Sequence, residues 1–451
     1  MNLERAQLGL TAALAATIPV SIFASEALLA LSLAVLAARL AAGRARLLRT
    51  PLDTPLIALV VWTLLAASFA QDPARSHEDS KKLLLYALFY LGVEVLARED
   101  DRERVLNAVL VGGLALAGLM VAQHLFLGYD RLDRRPDGFL GHYMSASGVT
   151  MGVLLLAAGR LALGPWARAR LPREADRQGR GAGFGLPLLV LAGVAAVAAA
   201  TAAGHGVAAT RVCVAALATL AATVALSRSP AARAAEAALP VVVAPVAAWA
   251  LVVSQTRNAW VGATVGLAVI AVLRAKHLVW LVGAAAVAVL VLRPAAVTSR
   301  LTIGDDSSRD RYYMWQAGID MVLDKPVFGQ GPGMILAEYP RYRWPEAPNP
   351  QQPHLHNNLL QVAAERGIPG LAFFLWWAVA AFAAALGEAR RGAAGGPGPG
   401  GPALGALAAL AAVFAAGLFE YNLGDSEVLM LVLLLTAVPF ALRQGRGAAA
   451  G

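Results

Sequence analysis

Apolar runs recur along almost the whole chain, and their length decides the solvent in which it folds. A helix needs about 20 predominantly apolar residues to cross roughly 30 Å of hydrocarbon. Runs of that order lie near residues 8–24, 25–42, 53–70, 81–97, 104–127, 141–163, 185–203, 208–226, 237–254, 258–274, 277–293, 364–387, 403–420 and 427–443. Of the 451 residues 58% are hydrophobic and only 15% charged, more apolar surface than a soluble fold can hide. Lipid leaves unpaired backbone groups unsatisfied, so a spanning segment must be a helix or part of a closed barrel. The long Ala/Leu/Val runs lack the short alternation of barrel strands. The chain is therefore predicted to be an all-α polytopic membrane protein with about 12–14 transmembrane helices. Leu8 to Ile22 has no small-residue cleavage site and a second apolar run follows at once, so it reads as a membrane helix rather than a removed leader.

The formal charge of +9 would suggest nucleic acid in a soluble protein, but here the positive residues sit mainly in short loops between apolar runs. That placement orients a membrane protein and excludes a nucleic-acid partner. One set of alternate loops carries Arg39, Arg44, Arg46 and Arg49; Arg98, Arg102 and Arg104; the arginines between Arg160 and Arg180; Arg228 and Arg233; Arg274 and Lys276; Arg390 and Arg391; and Arg443 and Arg446. The other set is much poorer. The positive-inside bias then puts both termini in the cytoplasm. It leaves outside the loops around Gln71–Lys82 and Gly128–Leu140, the turns Gly204–Gly206 and Gln255–Asn258, the long segment 294–363, and the turn Glu420–Ser426. Three regions follow: residues 1–293 as N-terminal spans, 294–363 as a long, partly helical outer loop, and 364–451 as C-terminal spans. Gly392–Pro402 reads as a flexible cytoplasmic connector. Cys213 is the only cysteine, so neither a disulfide nor a thiolate metal site is available.

The outer segment is where polar chemistry gathers. Met314–Leu323 has the pattern of an amphipathic helix, ended by the cluster Gly329-Gln330-Gly331-Pro332-Gly333. That cluster has neither a preceding strand nor a following Lys-Ser/Thr, which argues against a phosphate loop and a nucleotide. His354 and His356 lie two apart, but a zinc site wants three or four ligands and no third is obvious, so no metal is expected. Their remaining roles are to cap the helix that follows or to take a proton from a hydroxyl. Arg257 opens a span and Arg311 shares its compartment. Each can snorkel to headgroups, but guanidinium forks clustered at an interface suit a phosphate or diphosphate. Arg211 falls inside a span with no evident partner, and Arg135 and His142 flank Asp137–Gly141 as further candidates for the same cavity.

Three groups of residues, in this order and on one face, resemble the O-antigen ligase and O-antigen polymerase superfamily. They are Ser254-Gln255-Thr256-Arg257-Asn258-Ala259-Trp260; Arg311 to Trp315 followed by Pro326-Val327-Phe328-Gly329-Gln330-Gly331-Pro332-Gly333; and His356-Asn357 with Glu365-Arg366-Gly367-Ile368-Pro369-Gly370. The likeness extends over about residues 130–440. It implies a GT-C-like, metal-independent glycosyltransferase without a cofactor, in the bacterial inner membrane with its active site facing the periplasm. The donor it implies is an undecaprenyl-diphosphate-linked glycan and, for the ligases, the acceptor is a sugar of lipid A-core. The family's essential histidine falls on His356, its span-opening arginine on Arg257 and its loop arginine on Arg311. Ligases show about twelve spans, fewer than the runs counted here. A polymerase or a protein O-oligosaccharyltransferase using the same donor, and a transporter of the lipid-linked glycan, are the competing readings. A transporter places its charges near the bilayer midplane, whereas these gather at one edge.

Overall fold

The computed structural model describes residues 3–163, 185–203, 230–274, 306–394 and 400–450. Among them there is no strand, only an isolated bridge between Arg131 and Arg134. The helices are α1 (Leu3–Thr17), α2 (Ile22–Ala41), α3 (Asp53–Ser68), α4 (Pro73–Asp79), α5 (Ala87–Val95), α6 (Glu99–Phe126), α7 (Tyr143–Leu163), α8 (Gly185–Ala202), α9 (Pro230–Val253), α10 (Arg257–Arg274), α11 (Asp306–Asp324), α12 (Ile335–Tyr342), α13 (Asn358–Ala393), α14 (Gly400–Ala416) and α15 (Ser426–Ala450). Among the described residues α2, α6, α7, α13 and α15 are long and apolar enough to cross a membrane, and Asp53–Ser68, Val190–Ala199, Ala238–Val253 and Gly400–Ala416 are shorter apolar helices. The protein is an all-α, multi-pass membrane protein. The spans expected at 208–226 and 277–293, and Arg211 with the first of them, lie outside the described residues.

The bundle is built around α6 and α7. The apolar window of α6 is buried along its full length, and α9 packs against both helices. α14 sits between α7 and α10 and also touches α13. Lipid gives helices little hydrophobic reason to associate, so close backbone approach through small residues takes over. A side chain on Gly159 would strike the backbone of Gly405, and one on Gly262 would meet Met151 and the carbonyl of Ala412. Phe23, Ile57, Trp376 and Val379 are exposed, which is costly in water and natural against acyl chains.

Several boundaries differ from the sequence expectation. The run at 81–97 is not one continuous helix but a 3₁₀ segment, Ser80–Tyr86, followed by the nine residues of α5. The connector at Gly392–Pro402 is shorter than expected, because Gly400–Pro402 forms the first turn of α14, where proline has no hydrogen bond to lose. α13 starts at Asn358, so the edge drawn between residues 363 and 364 falls inside a helix.

Several of the loops that charge counting put on one face meet, whereas the turn Gly204–Gly206 lies outside the described residues. Gln255 Nε2 donates to the Asp130 carbonyl at 3.3 Å, Ser76 Oγ to the Pro332 carbonyl at 2.8 Å, Arg341 to Gln71 at 2.7 Å, and Lys82 to the Gly424 carbonyl at 3.0 Å. Arg160, Arg274, Arg391, Arg443 and Arg446 of the richer set lie at the other end. α7 runs from Tyr143 at the loop end to Arg160, roughly 26 Å away at 1.5 Å per residue. There Arg160 pairs with Glu103 at 2.6 Å, while Glu388 gathers Arg391, Arg443 and Arg446.

Candidate functional site

The segment before Arg257 is held by local bonds that explain its residue types. The last turn of α9 leaves carbonyls without helical partners, and that of Leu251 accepts from both Ser254 Oγ (2.7 Å) and the Trp260 indole (2.7 Å). Gln255 then adopts a left-handed backbone (φ 52°), turning the chain so that α10 starts at Arg257. A helix N-terminus carries positive dipole charge and unpaired N–H groups, which disfavour a cation and draw an anion. An arginine there adds to that field. Ser147 of α7 meets Thr256 at 3.0 Å, which holds the starts of α7 and α10 together.

Arg311 is presented by α11, whose Met314, Ala317 and Met321 form a helical stripe packed with Ile335, Tyr339, Leu355 and Ala364. Arg311 stands one turn before Met314 and Trp315, and the Trp315 indole donates to the Leu355 carbonyl at 3.1 Å, next to His356. Arg135 lies over the Tyr143 ring, 3.7 Å from its centroid. Burial lowers its guanidinium pKa; Tyr143 opposes that, and the neighbouring charges of Arg257 and Arg311 add to it. Three arginines from three separate segments therefore share one electrostatic neighbourhood.

His356 occupies a strained position. Its φ of 49° is left-handed, and among the described residues only Gln255 shares this trait outside glycine. Such backbone costs about 1–2 kcal/mol and persists only where neighbours fix it. Both neighbours do so. On one side Leu355 is fully buried, its N–H donating to Gln361 Oε1 at 2.8 Å. On the other, Asn357 caps α13, its Oδ1 accepting from Leu359 and Leu360 at 2.9 and 3.0 Å. The capping role open to the histidines thus belongs to Asn357, which leaves the His356 ring for other work.

That ring meets a residue that sequence reasoning missed. His356 Nδ1 lies 2.9 and 2.8 Å from the two carboxylate oxygens of Glu420, which sits just beyond the end of α14 and 64 residues along the chain. Burial raises the Glu420 pKa, but the His356 hydrogen bond, the two imidazoles and the Tyr421 N–H outweigh it, so the carboxyl sits below its usual range. An ionised Glu420 takes the Nδ1 proton as a hydrogen bond, which leaves the Nε2 lone pair free. His354 stacks edge-on against His356, ring centroids 4.2 Å apart, with Nδ1 3.7 Å from Glu420. Burial first, then His356, push its pKa down to about 4, so His354 is neutral near neutral pH. His142 and Arg311 act on it as well. His142 is exposed; its Nδ1 lies 3.2 Å from Ser145 Oγ, which donates to Asp425 at 2.8 Å. The charge of Arg311 acts on both Arg135 and His354, which ties the arginines to the His356–Glu420 pair electrostatically.

A family model described as O-antigen ligase matches residues 242–375. That stretch is similar to the O-antigen ligase family and covers less than a third of the chain. The matched stretch contains Arg257, Arg311, His354 and His356, whereas Arg135, His142 and Glu420 lie outside it. No curated protein matches the chain. Within the matched stretch the glycine-rich run has a structural task. Pro369 has no N–H to give the Glu365 carbonyl, and Gly367 (φ 69°, ψ −177°) breaks α13. Gly331 N–H fills the Glu365 carbonyl at 3.0 Å, Gln330 N–H fills that of Ala364 at 2.8 Å, and Ile368 N–H turns to Pro326 at 2.8 Å. Glu365 ion-pairs with Arg366 at 2.6 Å and accepts from Gly333 N–H at 3.1 Å, so this motif braces the floor of the loop.

Proposed function

We propose that this O-antigen ligase-like membrane enzyme moves a glycan from undecaprenyl diphosphate to a sugar hydroxyl of lipid A-core on the periplasmic face of the inner membrane, completing lipopolysaccharide. The observation that carries this reading is the pair His356–Glu420 beside Arg135, Arg257 and Arg311: a base with a fixed tautomer next to a concentration of permanent positive charge.

In the reaction the acceptor hydroxyl oxygen forms a bond to the anomeric carbon as the bond from that carbon to the diphosphate oxygen breaks. His356 Nε2 takes the hydroxyl proton, a contribution of about 10²–10⁴-fold. Glu420 holds the ring and stabilises the imidazolium that forms. Undecaprenyl diphosphate leaves with the bond electrons, and its charge meets Arg257, Arg311 and the N-terminus of α10. Preorganised cations in a site of low dielectric act most strongly where charge develops. His354, neutral beside the base, does not compete for the proton. The diphosphate donor supplies the driving force, so the reaction needs no nucleotide, and the arginines take the charge-stabilising role that a metal would otherwise fill.

The test is reconstitution in proteoliposomes with a defined polyprenyl-diphosphate glycan and separate acceptors. Transfer to lipid A-core supports ligation. Lengthening of the donor glycan itself identifies a polymerase, transfer to a peptide hydroxyl identifies a protein O-oligosaccharyltransferase, and movement of intact donor across the bilayer identifies a transporter.

A further inference from the structure

His354, His356 and Glu420 have a second capacity. Their donor atoms all lie within 4.8 Å of one another, with one atom from each residue available. Both imidazole Nδ1 atoms face the same carboxylate, His356 at 2.8 Å and His354 at 3.7 Å. His354 Nδ1 is buried and has no hydrogen-bond partner, so it points a polar atom at Glu420 without a bond to satisfy it. Zinc takes imidazole nitrogen and carboxylate oxygen at about 2.0–2.2 Å in tetrahedral geometry, which sets neighbouring donors roughly 3.3–3.5 Å apart. The His354 spacing is close to that already, and the His356 pair has to open by about half an ångström. Glu420 is itself oriented, since Oε1 accepts the Tyr421 N–H at 3.0 Å.

The geometry points to a binding site for a borderline divalent metal of the zinc class, formed by His354, His356 and Glu420, whose occupation switches off His356 as a base. The binding claim is independent of the reaction; the switching claim rests on the proposed function. Metal on Nδ1 takes the nitrogen that now carries the ring proton. In the neutral ring that proton moves to Nε2, no proton is lost, and the lone pair that would accept from a sugar hydroxyl disappears. The same metal removes Glu420 from its positioning role. Three protein ligands leave a fourth position open to water or to an acceptor hydroxyl. Imidazole and carboxylate together suit zinc, nickel or copper better than magnesium or calcium, which favour all-oxygen sites.

The full chain in detergent is titrated with zinc chloride by calorimetry and with cobalt chloride by visible absorption, for the wild type, His354→Ala, His354→Gln, Glu420→Gln and His77→Ala. The expected result is one zinc per chain and a tetrahedral cobalt spectrum, with affinity at least tenfold weaker in the His354 and Glu420 variants and unchanged in His77→Ala. His354→Gln keeps a polar side chain of similar length, so it reports on ligation where the alanine variant disturbs folding. Equal affinity in wild type and in variants that elute as folded protein overturns the site. Transfer is measured on the same samples: at saturating zinc it should fall at least tenfold and return on adding a chelator. Transfer untouched by saturating zinc overturns the switch. Zinc bound as expected by a chain that transfers no glycan under any condition supports the site and contradicts the proposed function instead.

Discussion

At the residue scale the decisive feature is the division of labour among groups of the same type. Two imidazoles two residues apart look equivalent in sequence; in the fold one donates to a buried carboxylate and the other has its pKa pushed to about 4. His356→Gln should abolish transfer, with at least a hundredfold loss of kcat, while the purified protein keeps its elution profile and thermal transition. Glu420→Gln tests positioning. An amide can present a donor to Nδ1 and select the wrong tautomer, so kcat should fall by about 10²–10⁴ with little change in KM, and Glu420→Asp should recover part of the loss. A larger change in KM than in kcat would assign Glu420 to substrate binding. Arg257→Lys should weaken donor binding by about tenfold or more, because an ammonium lacks the planar fork that matches a diphosphate. Unchanged affinity for a polyprenyl diphosphate would remove Arg257 from that role. Arg257, Arg311 and His356 were legible in the sequence because motif order and loop assignment singled them out. Glu420 was not: it is a lone acid in a short turn, and nothing local joins it to a histidine 64 residues earlier. Only the return of α14 to the same end of the bundle makes the pair.

At the element scale the broken α13 is the part on which the loop depends. Gly367 combines a φ of 69° with a backbone approach that puts an added Cβ 2.0 Å from the Val327 carbonyl. Left-handed strain of about 1–2 kcal/mol and overpacking of about 1–3 kcal/mol add, so Gly367→Ala should destabilise by about 2–5 kcal/mol, read as a lower thermal midpoint. A variant as stable as the wild type would show that the Gly329–Gly333 loop is not pinned by that break. The helical character of 314–323 was readable from its apolar spacing. The 3₁₀ turn at Ser80–Tyr86 was not, since hydropathy reports burial in lipid and is blind to hydrogen-bond register. The start of α13 at Asn358 was also hidden, because its first turns carry Asn358, Gln361 and Glu365 inward, all buried and hydrogen-bonded, where a hydropathy window registers only their polarity.

At the scale of the whole molecule the two ends differ in kind. One end collects Arg160, Arg274, Arg391, Arg443 and Arg446 around buried or partly buried acids and helix carbonyls. The other collects the starts of α7, α10 and α13 with the histidines, Glu420 and the diphosphate-binding candidates. Counting arginines in alternate loops separated those of the loops that are described into these two groups, because the charge bias is written in composition and needs no tertiary information. Which residues of the second group touch one another depends on helix packing and could not be read that way. A chelator added to purified enzyme should leave transfer intact or raise it; inhibition reversed by a divalent cation would make metal part of the chemistry. On the proposed function, the imidazole and guanidinium cluster performs transfer from the face opposite the arginine-rich end. The most direct measurement is glycan transfer in proteoliposomes loaded with donor, with a membrane-impermeant core-oligosaccharide acceptor supplied to one side only and the side of the termini read by protease. Product should form only when the acceptor faces the end away from the termini, and none should form in His356→Gln; product formed from the terminal side, or undiminished in that variant, would rule out a site at that end.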